Sequence, residues 1–324
     1  MDISLAFDPT NAGYFSVRNE EKIGEPEPDE VIIRHTAIGV NFVDVLMRQG
    51  KLALPAVSKG ICGFEACGVI QKIGRNVQKF DIGQRVAYAT APAGAYCTTR
   101  AVHSKYIVAV PDDIDDKVVA ASLFKGLTAH YLAFRLFIVT DNVSVVVHSA
   151  ASGVGQILAQ WCKNLGALVI GTVGADFKKA TAQEYCDHVF NYNTENWQQE
   201  VIKITEGKGV NVVYDSVGRS TFGRSLDCLM PIGIMVLYGE TSGGIEQVDL
   251  DLLSRRSLFL TCPNLFDYKG NRMELIMSAE EVFNNIIAGS LKVNIAKEFP
   301  LTEAEQAHKL VESGKTIGSV ILIP

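Results

Sequence analysis

The chain is predicted to be an α/β protein, with a doubly wound parallel sheet inserted into a split, β-rich domain. Three observations predict this. From about Ala120 to Cys262, apolar strands and helical stretches alternate about six times, the pattern of a parallel sheet covered on both faces. The first third is strand-like, irregular in spacing and rich in Gly and Pro, as in a twisted partial barrel. The tail adds one helix and two strand-like ends, returning to the β-rich half. The expected division is 1–121 with 267–324 for the β-rich domain and 122–266 for the inserted sheet.

Taken in order, Val31 to Val40 and Gly68 to Ile73 are β-branched runs, and Gly74-Arg75-Asn76 is a turn signal before a strand from Gly83 to Tyr88. Tyr106 to Val110 is a strand closed by Pro111-Asp112-Asp113. Beyond Ala120, strands are expected at Val143 to His148, Leu168 to Val173, His188 to Tyr192, Val210 to Val217, Gly233 to Gly239 and Leu258 to Cys262. Between them, Val154 to Leu165 carries Ile157, Leu158, Trp161 and Leu165 on one helical face. Further helices are expected over Asp176 to Tyr185, from a cap at Thr194 to about Ile204, and over Thr221 to Leu229. The tail supplies a helix from about Arg272 to Ala288 and strands at Ile295 to Phe299 and Ser319 to Ile323.

A chain of 324 residues predicts two domains at roughly 150 residues each. Its 30 Lys and Arg against 36 Asp and Glu leave a net charge of −6, which argues against a nucleic-acid binder working by phosphate attraction. No apolar run reaches the roughly 18 residues of a membrane span. Met1 to Thr10 lacks a basic stretch followed by an apolar one, so no secretory signal is expected. The seven cysteines are scattered and never spaced C-x-x-C, which points to the reducing cytoplasm.

The sharpest local signal is Val145 to Gly155, VVVHSAASGVG, where a strand runs through a small-residue turn into a helix. Against G-x-G-x-x-G, Ala150 and Ser152 replace the first two glycines, Gly155 matches the third, and Gly153 lies between. Such a turn brings backbone N–H groups at a helix N-terminus close to a pyrophosphate. The alternative is a tight turn that packs helix on strand with no ligand. A site for NAD usually carries Asp or Glu at the end of the second strand. Here that place is Gly171-Thr172-Val173-Gly174, Asp176 comes later, and Lys178 and Lys179 follow. A small, uncharged strand end beside lysine suits a 2′-phosphate, hence NADPH; the alternative is two solvated helix-surface lysines.

Several blocks together resemble a family: Ala37-Ile38-Gly39-Val40-Asn41-Phe42-Val43-Asp44, Phe124-Lys125-Gly126-Leu127-Thr128-Ala129, the Ala-Ala-Ser-Gly-Val-Gly turn, Val213-Tyr214-Asp215-Ser216-Val217-Gly218 and Ile321-Leu322-Ile323-Pro324. The chain resembles, nearly end to end, the NADPH-dependent quinone oxidoreductases, the zinc-independent, zeta-crystallin-like branch of the medium-chain dehydrogenase/reductase superfamily. The resemblance implies a Rossmann cofactor domain inserted into a GroES-like partial barrel. It implies that Asn41 approaches the nicotinamide ribose or the acceptor; with no metal, Asn41 is also the candidate hydrogen-bond donor to a developing oxyanion. Thr128 and the stretch Tyr238, Gly239, Glu240, Thr241 and Ser242 would meet the nicotinamide end. Ser152, Gly153 and Val154 would hold the pyrophosphate. Lys178 and Tyr192 would hold the 2′-phosphate, with Gly174 leaving room, and Ser216 and Val217 would line the adenine-ribose side. The family usually dimerises, and Leu258 to Cys262 is the candidate edge strand.

Three positions depart from the family pattern: Leu52 in place of a common tyrosine, Phe64 in a Gly-Thr-Glu position, and Gly314 in place of a frequent arginine, with Lys315 adjacent. The first two imply a more apolar acceptor pocket. Zinc-dependent relatives place metal-binding His and Cys at positions held here by Phe64 and by Asn41 to Asp44, and the four-cysteine lobe is missing, so no metal is expected. Cys62 and Cys67 are expected as small buried apolar residues. The six histidines are dispersed, and His148, beside the small-residue turn, is expected to be structural rather than a general base. Without a Lewis acid the acceptor must be easily reduced, a quinone or an activated enone. The resemblance leaves open an α,β-unsaturated carbonyl reductase and, in another class, an AU-rich RNA-binding or structural crystallin-like protein.

Overall fold

The computed structural model describes residues 2–7, 15–20, 24–52 and 60–324. The chain divides into two compact units, 1–127 with 269–324 and 128–268. The division falls inside one helix, and the boundary expected at 121/122 lies in that same helix.

In the first unit, β1 (Asp2–Phe7) and β2 (Phe15–Glu20) form an antiparallel pair. The strand β3 (Glu30–Val40) is the spine of a larger sheet. Its Val31, Ile32, Ile33, Ala37, Ile38 and Val40 are all buried. A short helix α1 (Phe42–Arg48) follows, then β4 (Glu65–Ile73), β5 (Arg85–Ala89), β6 (Thr99–His103) and β7 (Ile107–Ala109). β3 pairs antiparallel with β4 along its length, and the register slips twice, between Ile32 and Ile33 and between His35 and Ala37. Such bulges bend and twist a strand. The unit's first segment ends in α2 (Asp116–Tyr131).

The second unit is a six-stranded, wholly parallel sheet. Its strands are β8 (Ser144–Val147), β9 (Leu168–Val173), β10 (His188–Asn191), β11 (Val210–Asp215), β12 (Leu229–Leu237) and β13 (Phe259–Thr261), in spatial order β10, β9, β8, β11, β12, β13. Helices α3 (Gly153–Asn164), α4 (Lys179–Gln183), α5 (Trp197–Ile204), α6 (Phe222–Cys228), α7 (Leu250–Ser254) and α8 (Leu265–Tyr268) connect or follow them. The strand order reverses between β8 and β11, and ligands of such sheets bind outside the carboxyl ends of the strands at that point. Val146, Ile170, Val213 and Met235 pack with Trp197, Phe222 and Leu226 into one core.

The remaining segment returns to the first unit with α9 (Arg272–Ile287), β14 (Ile295–Pro300), α10 (Ala304–Glu312) and β15 (Ser319–Ile323). β15 pairs with the second half of β3, while β6 pairs with its first half. The C-terminal strand thereby completes the sheet that the N-terminal segment begins.

Two expectations are corrected in detail. The helix expected over Asp176 to Tyr185 splits into a 3-10 turn, Asp176–Lys178, and α4. The cap of α5 is Asn196, not Thr194. The N–H groups of Thr194 and Glu195 instead donate to the Asn191 carbonyl at 3.3 and 2.9 Å, a turn that delays the helix.

A Cβ on Gly155 would stand 2.2 Å from the Ser149 carbonyl oxygen, whereas one on Gly223, in α6, meets nothing within 4 Å. Gly155→Ala should therefore destabilise the fold by about 1–3 kcal/mol or more, while Gly223→Ala should stabilise it by about 0.5–1 kcal/mol through helix propensity. Urea denaturation of the two variants checks this contrast.

Candidate active site

Every site residue expected in the second unit beyond Thr128 follows the carboxyl end of a strand. Ser152, Gly153 and Val154 come after β8, Gly174 and Lys178 after β9, Tyr192 after β10, Ser216 and Val217 after β11, and Tyr238, Gly239 and Thr241 after β12. Ser152 caps α3: its hydroxyl accepts from the Gly155 N–H at 3.1 Å. Gly153 and Val154 are the first two helical residues and are half-buried. Their N–H groups have no partner within a helix, by the geometry of its first turn. Backbone donors and the positive end of the helix dipole thus coincide.

After β9 the two lysines separate in role. Lys179 forms an ion pair with Glu195. Lys178 is half-buried with its ammonium 5.8 Å from the Phe177 ring centre, and burial lowers its pKa. Asp176 is committed to Asn191, whose side-chain amide donates to it at 2.9 Å. The place expected to be open beside Gly174 is filled: a Cβ there would lie 2.6 Å from the Tyr192 hydroxyl. Gly174 therefore makes room for Tyr192 itself. The Tyr192 ring is half-buried, and burial, followed by the nearby Asp215 carboxylate, raises its phenol pKa.

Asp215, at the end of β11, is wholly buried. One carboxylate oxygen accepts the N–H groups of Val217 and Gly218 at 2.7 and 2.9 Å, and the other accepts the Thr221 hydroxyl at 2.7 Å. This sets the turn that carries Ser216 and Val217. The neighbouring loop is stitched to it, with Tyr238 N–H donating to the Asp215 carbonyl, Thr241 N–H to Ser216 and Ser242 N–H to Val217, at 2.8–3.1 Å. The Ser216 and Tyr238 hydroxyl oxygens are buried, and neither closes a hydrogen bond. Ser216 still lies near enough to favour the ionised phenol slightly, while burial dominates and pushes the Tyr238 pKa up. Thr128 is buried in α2. His148 is fully buried, with its ring nitrogens 2.6 and 2.8 Å from the Thr172 and Ser225 hydroxyls. Burial, opposed by the nearby Asp215 carboxylate, lowers its pKa.

In the first unit, Asn41 is the N-cap of α1. Its backbone N–H donates to the Asp44 carboxylate at 2.7 Å, and its side-chain amide donates to Glu65 at 3.0 Å. Of the two amide hydrogens of this candidate oxyanion donor, one is therefore already committed. Glu65 is wholly buried and also accepts from Lys125 Nζ at 2.9 Å and from the Phe124 N–H at 2.6 Å. Asp44 is equally buried; one of its oxygens accepts from the Tyr96 hydroxyl at 3.3 Å and the other has no hydrogen bond. Burial pushes the Asp44 pKa up to about 7. The Tyr96 hydroxyl also lies 2.8 Å from His308 Nε2, and burial lowers that imidazole to about 3.

The sequence matches the family models for the alcohol dehydrogenase GroES-like domain over residues 27–135 and for zinc-binding dehydrogenase over residues 153–266. It is 40% identical over 304 residues to quinone oxidoreductase 1 of Escherichia coli, covering 93% of each chain. It is 41% identical over 315 residues to 2-haloacrylate reductase of Burkholderia sp, covering 95% of each. The fold superposes on the crystal structure of Escherichia coli quinone oxidoreductase complexed with NADPH with a TM-score of 0.95, at 36% identity and over 100% of both chains. The chain belongs to the quinone oxidoreductase family. Its two-domain fold is that of the medium-chain dehydrogenase/reductase superfamily.

Within this family the departures acquire physical form. Phe64, expected at the acceptor pocket, is wholly enclosed and packs as core. Leu52 is half-buried, next to residues 53–59, which lie outside the described residues. Gly314 follows the end of α10 with φ of +63°, a left-handed conformation in which an arginine would be strained. Cys62 and Cys67 are buried, and burial raises both thiols well above their ordinary value. Among the described residues no group of three or more His, Cys, Asp or Glu is placed to hold a metal. Sequence reasoning did not anticipate that Glu65, Lys125 and Asp44 are buried together around Asn41. Asp44 and Lys125 stand inside blocks shared with the family, and Glu65 is next to Phe64. The signal in each case was a charge in an otherwise apolar run.

Opposed titrations follow. His35 is lowered by burial to about 4 and His308 to about 3, so the unfolded chain binds protons below about 6.5 that the folded chain refuses. Their contribution to stability is present above that pH and lost as pH falls. Asp44 has the opposite sign: folded, it keeps until about 7 a proton that the unfolded chain releases near 4, so its contribution falls as pH rises. Asp44→Asn should therefore gain stability relative to the native protein as pH rises from 4 to 7. Denaturant titrations at fixed ionic strength measure that difference, and a flat difference contradicts a neutral Asp44.

Proposed function

We propose that the protein is an NADPH-dependent reductase of quinones. The observation that carries this reading is the carboxyl edge of the parallel sheet. There, N–H groups at the start of α3 share an edge with the end of β9, where no acid stands before Asp176, itself hydrogen-bonded to Asn191, and Lys178 follows. The buried hydroxyls of Ser216 and Tyr238, which lie near each other without closing a well-formed hydrogen bond, suit the same reading, because both keep capacity for a ligand. NADPH, when bound, supplies a hydride. The residues of this chain bind and orient: Ser152, Gly153 and Val154 take the pyrophosphate, Lys178 and Tyr192 the 2′-phosphate, and Ser216 and Val217 the adenine-ribose side. Thr128, Tyr238, Gly239 and Thr241 serve the nicotinamide end. Asn41 has one amide hydrogen left to donate toward the ribose or the acceptor.

The likeness to 2-haloacrylate reductase favours a second reading, in which the acceptor is an activated alkene. We further propose a homodimer joined through β13, an edge strand whose Phe259 is 57% exposed. The seven cysteines are all unpaired, which supports a cytoplasmic home.

Lys178→Ala should weaken NADPH binding about 10- to 100-fold, the value of a charge-assisted hydrogen bond, and leave NADH binding nearly unchanged. Lys179→Ala, which loses only the Glu195 pair, should leave both unchanged. Calorimetry with the two nucleotides decides this. Mixing protein, NADPH and 9,10-phenanthrenequinone should consume the reduced cofactor. No acceptor-dependent loss overturns the quinone reading, and a saturated product from an enone at higher turnover favours the second. Light scattering at micromolar concentration should give twice the chain mass; a monomer contradicts the β13 dimer.

A further inference from the structure

We infer that Glu65 and Lys125 are positioning residues for Asn41. For its chemistry the inference rests on the reductase reading; for its geometry it rests on the first unit alone. Glu65 is wholly buried and Lys125 is 4% exposed, with their charged atoms 2.9 Å apart. Removal of either partner from such a pair leaves an uncompensated buried charge, while replacement of both by neutral groups of like volume is often tolerated. The pair is nevertheless built in at some cost to the backbone. A Cβ on Gly39 would lie 2.1 Å from Glu65 Oε2 and 2.3 Å from the Ala120 carbonyl, so β3 must carry glycine where the carboxylate passes.

What the pair holds is specific. Glu65 Oε2 accepts from both Lys125 and the Asn41 amide, while Oε1 accepts the Phe124 N–H from the middle of α2. A carboxylate can only accept, so Nδ2, not Oδ1, of Asn41 must face it. The orientation of that amide is thereby fixed by the carboxylate. The Asp44 carboxyl group fixes the Asn41 backbone in turn by accepting its N–H. Asn41 is thus tethered from β4 and α2 through Glu65 and from α1 through Asp44. Its second amide hydrogen keeps one direction. Displacement of a positioning group by about an ångström costs on the order of a hundredfold in rate.

The test is a mutant cycle on the holoenzyme. Asn41→Ala, the paired Glu65→Gln with Lys125→Met, and the triple variant are compared with the native protein for kcat and KM with 9,10-phenanthrenequinone at saturating NADPH. The paired variant should lose kcat about as much as Asn41→Ala does, about 10- to 100-fold, and the triple variant should lose no more than either. Additive losses, or an unchanged kcat in the paired variant, overturn the inference. A second readout needs neither turnover nor the paired variant's stability. In protein labelled with ¹⁵N at asparagine, the Asn41 side-chain amide, assigned by its loss in Asn41→Asp, should show one slowly exchanging hydrogen. The conservative Glu65→Asp, which keeps the charge but shortens its reach, should speed that exchange at least tenfold. An unchanged signal overturns the inference. The amide signal does not depend on whether the protein reduces quinones, so failure of the reductase reading is told apart by the native turnover alone.

Discussion

A carboxylate taken out of water must have its lone pairs filled, and the donors that fill them lose their freedom. Glu65 in the first unit and Asp215 in the second show this most fully. Asp215 ends a central strand of the parallel sheet and gathers two backbone N–H groups and a threonine hydroxyl. Glu65 begins β4 and gathers an asparagine amide, a lysine ammonium and a helical N–H. In both cases the acid itself has no exposure, and one of the groups it arranges, Val217 or Asn41, has a ligand-facing role in the proposed function. The chemistry of the site is in this sense set one layer beneath it.

The parallel sheet was largely legible in the amino-acid pattern because its strands are buried on both faces and are near-continuous β-branched runs. Val145-Val146-Val147 and Val212-Val213 could scarcely belong elsewhere. The first unit was less legible. The helix α2, with Val118, Val119, Ala120, Ala121, Leu123, Leu127 and Ala129, is apolar around most of its circumference, so it shows no 3.6-residue alternation and gives no periodic signal. The short α1 depends on its cap at Asn41, and β6, Thr-Arg-Ala-Val-His, is only half-buried. Such elements are defined by what they pack against rather than by their own composition.

For the site the same division holds. Turn chemistry at Ser152 to Gly155 was visible because it is local: small residues between a strand and a helix leave the backbone bare over a few consecutive positions. The roles of neighbouring charges were not. Nothing in Asp-Phe-Lys-Lys shows that Lys179 is the one that pairs with Glu195, farther along the chain. Likewise Lys125 sits in an apolar stretch with its partner sixty residues earlier, and a pairing over that span has no local signature. The enclosure of Phe64 was hidden for the same reason, since a phenylalanine lining a cavity and one filling a core are identical in sequence.

The contact between position 174 and Tyr192 has an evolutionary corollary. On the proposed assignment, a change of nucleotide preference calls for an acid at the end of β9, yet even a methyl group there collides with the tyrosine hydroxyl. On that assignment the tyrosine also holds the phosphate, so the two positions are coupled: a side chain at 174 requires the Tyr192 hydroxyl to shift, and with it the contact it is proposed to make. A switch of preference is then more readily reached by changing both positions than by either alone.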